Sequence, residues 1–290
     1  MSLRVQSYDD FLGEYDAAIE WLAELFGNTR IQKSRFGIYR KSLSEAIRAF
    51  YSGDDLPEEA RIKFAHAHEE ADALIEIHES IENLDPAILL PHAELLIKGQ
   101  ECRTPTGNDV ARSTQFELVV AAKLARNGAQ ITLERRTDVV ANFEDKEFLV
   151  ECKRPLRIEN LEQNYVDANT QISREISNYE RPAGLIFLSL GHALNPKAGH
   201  LVVRDESHLH ELCIEQHGRV REALFESDRK LMESKALAPC LLARAMVFRC
   251  RAHNQSTGRL LKVADSEVIF LQSDSEQISI IRRLLANQGA

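Results

Sequence analysis

The hydrophobic period changes near residue 100, and no single regular architecture accommodates both halves of that pattern. Over residues 8–26, Tyr8, Phe11, Leu12, Tyr15, Ala18, Ile19, Leu22 and Phe26 recur at steps of three and four, the spacing of one helix face. A second amphipathic helix is expected from Leu56-Pro57-Glu58-Glu59 to about Leu84. Pro57 suits its first turn, where a missing N–H is harmless, and Asp85-Pro86 marks its exit. Residues 1–100 thus read as an all-helical region, and the polar, turn-prone stretch GQECRTPTGN at 99–108 reads as the boundary.

Beyond it the elements alternate in type. A helix is expected over 109–127, strands near 130–136, 137–143 and 147–154, a helix near 159–180 and a strand over 184–190. A helix at 206–233, β-rich segments at 243–251 and 260–271, and a helix at 275–286 follow. The order is αβββαβ with additions, which predicts an α/β domain over 101–290, built on a mixed sheet flanked by helices.

Charge divides along the same line. Residues 1–100 hold 19 acidic and 10 basic side chains; the totals of 45 and 36 leave 26 of each for 101–290, so the net charge of −9 belongs to the first third. The neutral remainder has room for a basic cleft that the bulk acidity conceals, so nucleic acid stays open as a partner. No apolar run approaches the roughly 18 residues of a membrane span, and no apolar signal segment opens the chain, so a cytoplasmic protein is expected. The five cysteines, Cys102, Cys152, Cys213, Cys240 and Cys250, have no metal-knuckle spacing. His66 with His68, and His208 with His210, stand two apart in helical stretches, which turns their rings away from a common ion.

Three acids and a lysine stand out because they interrupt apolar elements. Glu117 is the one acid between Val110 and Leu133, on a helical stripe with Val110, Thr114, Ala121 and Leu124 that should face inward. A carboxylate there needs a cation or hydrogen bonds. In Glu147-Phe148-Leu149-Val150-Glu151-Cys152-Lys153-Arg154-Pro155, alternation puts Glu151 and Lys153 side by side on a strand that otherwise reads as buried. Asp138 begins the preceding strand, and a polar turn joins the two as a hairpin. With Glu144-Asp145 as the two-residue turn, Asp138 faces Glu151; with Asp145-Lys146, it faces Lys153. Either register gathers the charges on one face, and only an odd loop separates them.

Opposed carboxylates repel unless a cation lies between them, and hard oxygen ligands suit Mg²⁺ or Mn²⁺. With a lysine nearby, they make a site for metal-assisted phosphodiester hydrolysis. Asp138, twelve intervening residues and Glu151-Cys152-Lys153, preceded by a helix bearing Glu117 and followed by a helix and a strand, resemble the PD-(D/E)XK nuclease superfamily over roughly 108–190. The resemblance implies the restriction-endonuclease-like fold. It also implies metal ligation by Asp138, Glu151, the Cys152 backbone carbonyl and Glu117, and a Lys153 that assists the nucleophile. Thr137 stands where the family name has Pro.

By the same resemblance Gln171, on the following helix, is a candidate contact to phosphate or bound water. Arg135, Arg136, Arg154 and Arg157 surround the motif in sequence and are candidates for phosphate binding; the other reading makes them counterions for Glu134, Glu159 and Glu162. Gly191-His192, after an apolar strand, reads as a loop. The function expected is a divalent-metal-dependent endodeoxyribonuclease, the alternative a non-catalytic nucleic-acid or partner-binding protein on the same fold. For residues 1–100 the expectations are packing within the chain or a homodimer interface through Leu22, Phe26, Phe64, Leu74, Ile77 and Ile81.

Overall fold

The computed structural model describes residues 2–4, 7–81, 84–101, 109–133, 137–179, 182–194, 201–233, 241–254, 260–271 and 275–285. Among the described residues, five helices make the N-terminal region: α1 (Tyr8–Phe26), α2 (Asn28–Gln32), α3 (Arg35–Ser52), α4 (Glu58–Ile81) and α5 (Pro86–Ile97). Their starts follow capping chemistry. The Ser7 hydroxyl accepts from the Asp10 N–H at α1, and Asp85 accepts from Ala87 N–H at α5, with Pro86 in the first turn.

The α/β part then runs α6 (Val110–Arg126), β2 (Gln130–Thr132), β3 (Val139–Phe143), β4 (Lys146–Lys153), α7 (Leu161–Glu175) and β5 (Pro182–Ser189), which is the αβββαβ order. After it come α8 (Gly191–Leu194), β6 (Leu201–Val203), α9 (Glu206–Glu233), β7 (Leu241–Asn254), β8 (Leu260–Phe270) and α10 (Ser275–Leu285). A short β1 (Ser2–Arg4), not foreseen in the sequence, pairs with β8. The sheet order is β1-β8-β7-β5-β4-β3-β2, with β6 on β7; β4, β5 and β7 are mutually parallel and the hairpin pairs antiparallel. The chain is therefore mixed α/β with a helical N-terminal region.

One apolar core runs through both regions. Leu22, Phe64, Leu74, Ile77 and Ile81 of the helices join Phe116, Leu118 and Val119 of α6 and Val139, Phe148 and Val150 of the sheet, and Phe26 packs against the same cluster. The apolar stripes offered as a dimer surface are thus consumed inside the chain, and the change of period near residue 100 does not divide two cores. Helix α6 touches α4 and α5 as well as β2, β3 and β4, which explains why its sequence is apolar nearly all round. Its first residue departs from the expected inward stripe, for Val110 is 49% exposed.

Charge also ties the regions together. Arg35 of α3 donates to Glu70 of α4 at 2.8 Å, Arg112 of α6 donates to the other Glu70 oxygen at 2.9 Å, and all three side chains are buried. Gln115, Tyr39, Asp109 and the Leu96, Gln100 and Glu101 carbonyls take the remaining guanidinium donors. Such a set is stable only because every partner is present. His66 and His68 are both buried in α4 and diverge: His68 stacks on Phe11 at 4.0 Å, whereas His66 meets the edge of Tyr39.

Candidate active site

The hairpin resolves the register. Phe143 pairs with Lys146 across the two-residue turn Glu144-Asp145, and Val139 pairs with Val150, so Asp138 lies opposite Glu151. Glu144 takes a left-handed φ of 56°, as the first central position of a tight hairpin turn requires, and Arg283 of α10 forks onto its carboxylate at 2.8 and 2.9 Å.

Alternation on β4 sends Phe148, Val150 and Cys152 into the core shared with α6, and leaves Glu151 on the other face. There Glu151 is in register with Ile186 of β5, which packs with Leu161, Tyr165 and Ile172 of α7. The Glu151 side chain is fully buried. One oxygen, Oε2, accepts from Lys153 Nζ at 3.0 Å; the other, Oε1, has no hydrogen-bond partner. Asp138 Oδ2 accepts the Cys152 backbone N–H at 2.6 Å, which fixes the aspartate against the end of β4. Thr137 Oγ1, one residue away, is likewise buried without a partner.

The electrostatics are those of an acid excess. Burial pushes the Glu151 carboxyl up to about 7; the Asp138 charge adds to that, and Lys153 opposes it. Asp138 is raised as well, first by burial, against the pull of Lys153 and the Cys152 N–H. The hydrogen bond between the two carboxyls favours the proton on Glu151 and the charge on Asp138. Glu117 approaches from α6, on the opposite side of the sheet, and is pushed up to about 8 by burial, then by Asp138 and Glu151, with Lys153 countering. It joins the group through charge. Lys153 is held above its ordinary range by Glu151 and Asp138, which outweigh its desolvation. Cys152 is a buried core filler whose thiol burial pushes well up, far from thiolate chemistry.

The other candidates are placed less centrally. Gln171 is partly buried on α7, over the Glu151 face, and makes none of the hydrogen bonds that hold Asp138, Glu151 or Lys153. Arg154 turns to the opposite face, into a cavity beside α4; against burial, Arg112 holds the Asp109 carboxyl below its ordinary range, and Arg154 adds a smaller pull. Arg157 is exposed. Arg135, Arg136 and Glu134 lie outside the described residues. His192 is buried in the short helix α8 rather than held in a loop.

Sequence reasoning missed Arg244 of β7. It is in register with Ile186, hence in one lateral row with Glu151, and is 1% exposed. Its guanidinium pairs with Asp228 of α9 at 2.8 Å, Asp228 accepts from the Tyr165 hydroxyl at 2.7 Å, and Arg244 lies over the Tyr165 ring. This latch holds α7 and α9 on the face that carries Glu151. The available signal was an arginine inside an apolar strand, Leu241-Leu242-Ala243-Arg244-Ala245-Met246-Val247.

The donor set suits a hard divalent cation: an orphaned buried carboxylate oxygen on Glu151, an aspartate opposite it, and a third acid within electrostatic reach. Among the described residues, no three His, Cys, Asp or Glu side chains converge as they stand on a common metal position. No described helix is long and apolar enough to cross a membrane. No family model matches the chain, and neither the curated proteins nor the solved structures include a significant match to it.

Proposed function

We propose that the chain is a divalent-metal-dependent nuclease of restriction-endonuclease-like fold, acting on DNA. The observation that carries this reading is the fully buried Glu151, opposed across a hairpin to a partly buried Asp138, with Lys153 on one of its oxygens and the other oxygen unsatisfied. Burying that much negative charge is costly, and a fold has little reason to do so unless a cation completes it. The αβββαβ order with parallel β4 and β5 supports the same reading.

Asp138 and Glu151 would hold Mg²⁺ or Mn²⁺, with the Cys152 carbonyl and Glu117 completing its shell. An ion held there would supply positive charge to the phosphate and lower the pKa of a bound water. Lys153 contributes a fixed ammonium at the same end of β4, where it stabilises negative charge developing on the phosphoryl oxygens. The Cys152 N–H holds the Asp138 carboxylate in place, and the apolar packing under α7 keeps bulk water from Glu151.

Purified protein incubated with single- and double-stranded DNA and RNA, in Mg²⁺, Mn²⁺ or EDTA, tests the reading. Metal-dependent cleavage of DNA is expected, and Lys153→Ala should lower it by at least about 100-fold, the range of one positioned charge. Full activity in that variant, or no cleavage of any substrate, counts against the mechanism.

A further inference from the structure

Strands β4, β5 and β7 run parallel, and β7 continues where the other two stop. Lys153, Leu188 and Met246 lie in one lateral row, and Ser189, the last residue of β5, pairs with Val247. From Phe248 onward, among the described residues, β7 is joined to β8, which carries β1, and at its far end to β6. These strands form an arm beyond the same end of the sheet as the candidate site. At about 3.3 Å per residue and about 4.8 Å between strands, Arg251 stands about 16 Å further along than Lys153 and about 10 Å to its side.

Charge on the arm is of one sign. From Phe248 to Ala264 the sequence holds Arg249, Arg251, Arg259 and Lys262 and no acid, in a chain whose net charge is −9. Register sorts these residues by face. Arg251 pairs with Lys262, and Lys262 with Arg4, so three basic residues make one row across β7, β8 and β1. Alternation along β7 adds Arg249 and His253 to that face. Phe248, Cys250 and Ala252 fall on the other, together with Asp265 and Glu267, the partners of Phe248 and Met246. Like charges directly opposite one another weaken a sheet. A single small anion answers one position of such a row, whereas the closely spaced phosphates of nucleic acid answer all of them.

We propose that this arm holds the sugar-phosphate backbone of duplex DNA whose scissile phosphate lies at Lys153. The inference rests on the nuclease reading for the choice of DNA over another polyanion; the row of basic residues stands without it. The offset along the strands matches about five base pairs at about 3.4 Å each, so one duplex reaches both places, with the arm about half a helical turn from the cut. Contacts of this kind position the duplex and carry no sequence information, so the arm adds affinity rather than specificity.

The test is binding without cleavage. Fluorescence anisotropy in EDTA follows labelled duplexes of two unrelated sequences on the full-length protein over a range of salt. Arg251→Gln with Lys262→Gln removes two members of the row, and Arg4→Gln removes one from the edge strand. Lys41→Gln with Lys63→Gln removes two exposed cations of α3 and α4 as a control for net charge. Each phosphate contact adds about 0.9 to the slope of log K against log salt, so the paired arm variant should lower that slope by about two and weaken both duplexes alike, by about tenfold or more at low salt. Arg4→Gln should lower the slope by about one, and the control should leave it unchanged. Undiminished binding by arm variants that melt as the wild type does, an equal loss in the control, or no DNA binding by the wild type overturns the proposal. So does arm-dependent binding to phosphatidylserine vesicles without arm-dependent binding to DNA. Arm-dependent DNA binding without metal-dependent cleavage would keep the arm and discard the nuclease reading, and metal-dependent cleavage with undiminished binding would do the reverse.

Discussion

Helix α6 contributes to two clusters of charge, one buried throughout and one buried at Glu151 alone, that differ in completeness. Five residues apart on it, Arg112 joins Arg35 and Glu70, whereas Glu117 joins Asp138, Glu151 and Lys153. In the first, one carboxylate is held by two guanidiniums, and the remaining donors find carbonyls, a phenol and an amide. In the second, three carboxyls share one lysine, a buried oxygen is left over, and burial raises all three acids, Glu151 and Glu117 to about 7 and about 8. Clustered charge thus has opposite meanings: the satisfied cluster fastens the helical region to the sheet, and on the proposed reading the unsatisfied one is completed by a cation.

The largest effect is expected from breaking the complete cluster. Glu70→Ala leaves the buried Arg35 without its anion and Arg112 with Asp109 alone, and should lower stability by about 3–5 kcal/mol in denaturant unfolding. A change under about 1 kcal/mol would show the cluster to be idle.

In the incomplete cluster the same kind of change should act in the opposite direction. In the unfolded chain Glu151 and Glu117 have the ordinary glutamate value of about 4.5; in the folded chain burial pushes them up to about 7 and about 8. The folded state therefore binds more protons through that window, so this contribution to stability is present below the unfolded pKa and is lost as pH rises from about 4.5 to 8. Metal-free Glu151→Gln should be more stable than wild type at pH 8, by on the order of 2 kcal/mol, with no advantage at pH 4. Thermal melts across this range check the sign, and a variant less stable than wild type at pH 8 would contradict it. The smallest effect belongs to the solvent-facing pair at the turn. Arg283→Ala should lower stability by no more than about 1 kcal/mol, because Arg283 and Glu144 are both well exposed.

Much of this was legible in the sequence because the relevant signals are local. Helix period, caps and the alternation of 147–154 located α1, α4, α6, β4 and α7 within a few residues. The acid and lysine positions followed from the same alternation. What stayed hidden depends on contacts between distant segments. The sequence allowed two hairpin registers, and the left-handed Glu144 that selects one is not a residue type that announces such a turn. The shared core was invisible because a change of period resembles a domain boundary even when one helix, α6, is sandwiched between both parts. The Tyr165–Asp228–Arg244 latch joins α7, α9 and β7, and no periodicity in any one of them points to the other two.

The most direct test of the central claim is a calorimetric titration of Mn²⁺ into full-length protein at pH 7, repeated with Asp138→Asn and Glu151→Gln. The account expects one saturable site in the wild type, lost in both variants while their folds are retained. Absence of binding in the wild type, or undiminished binding in both variants, would contradict it.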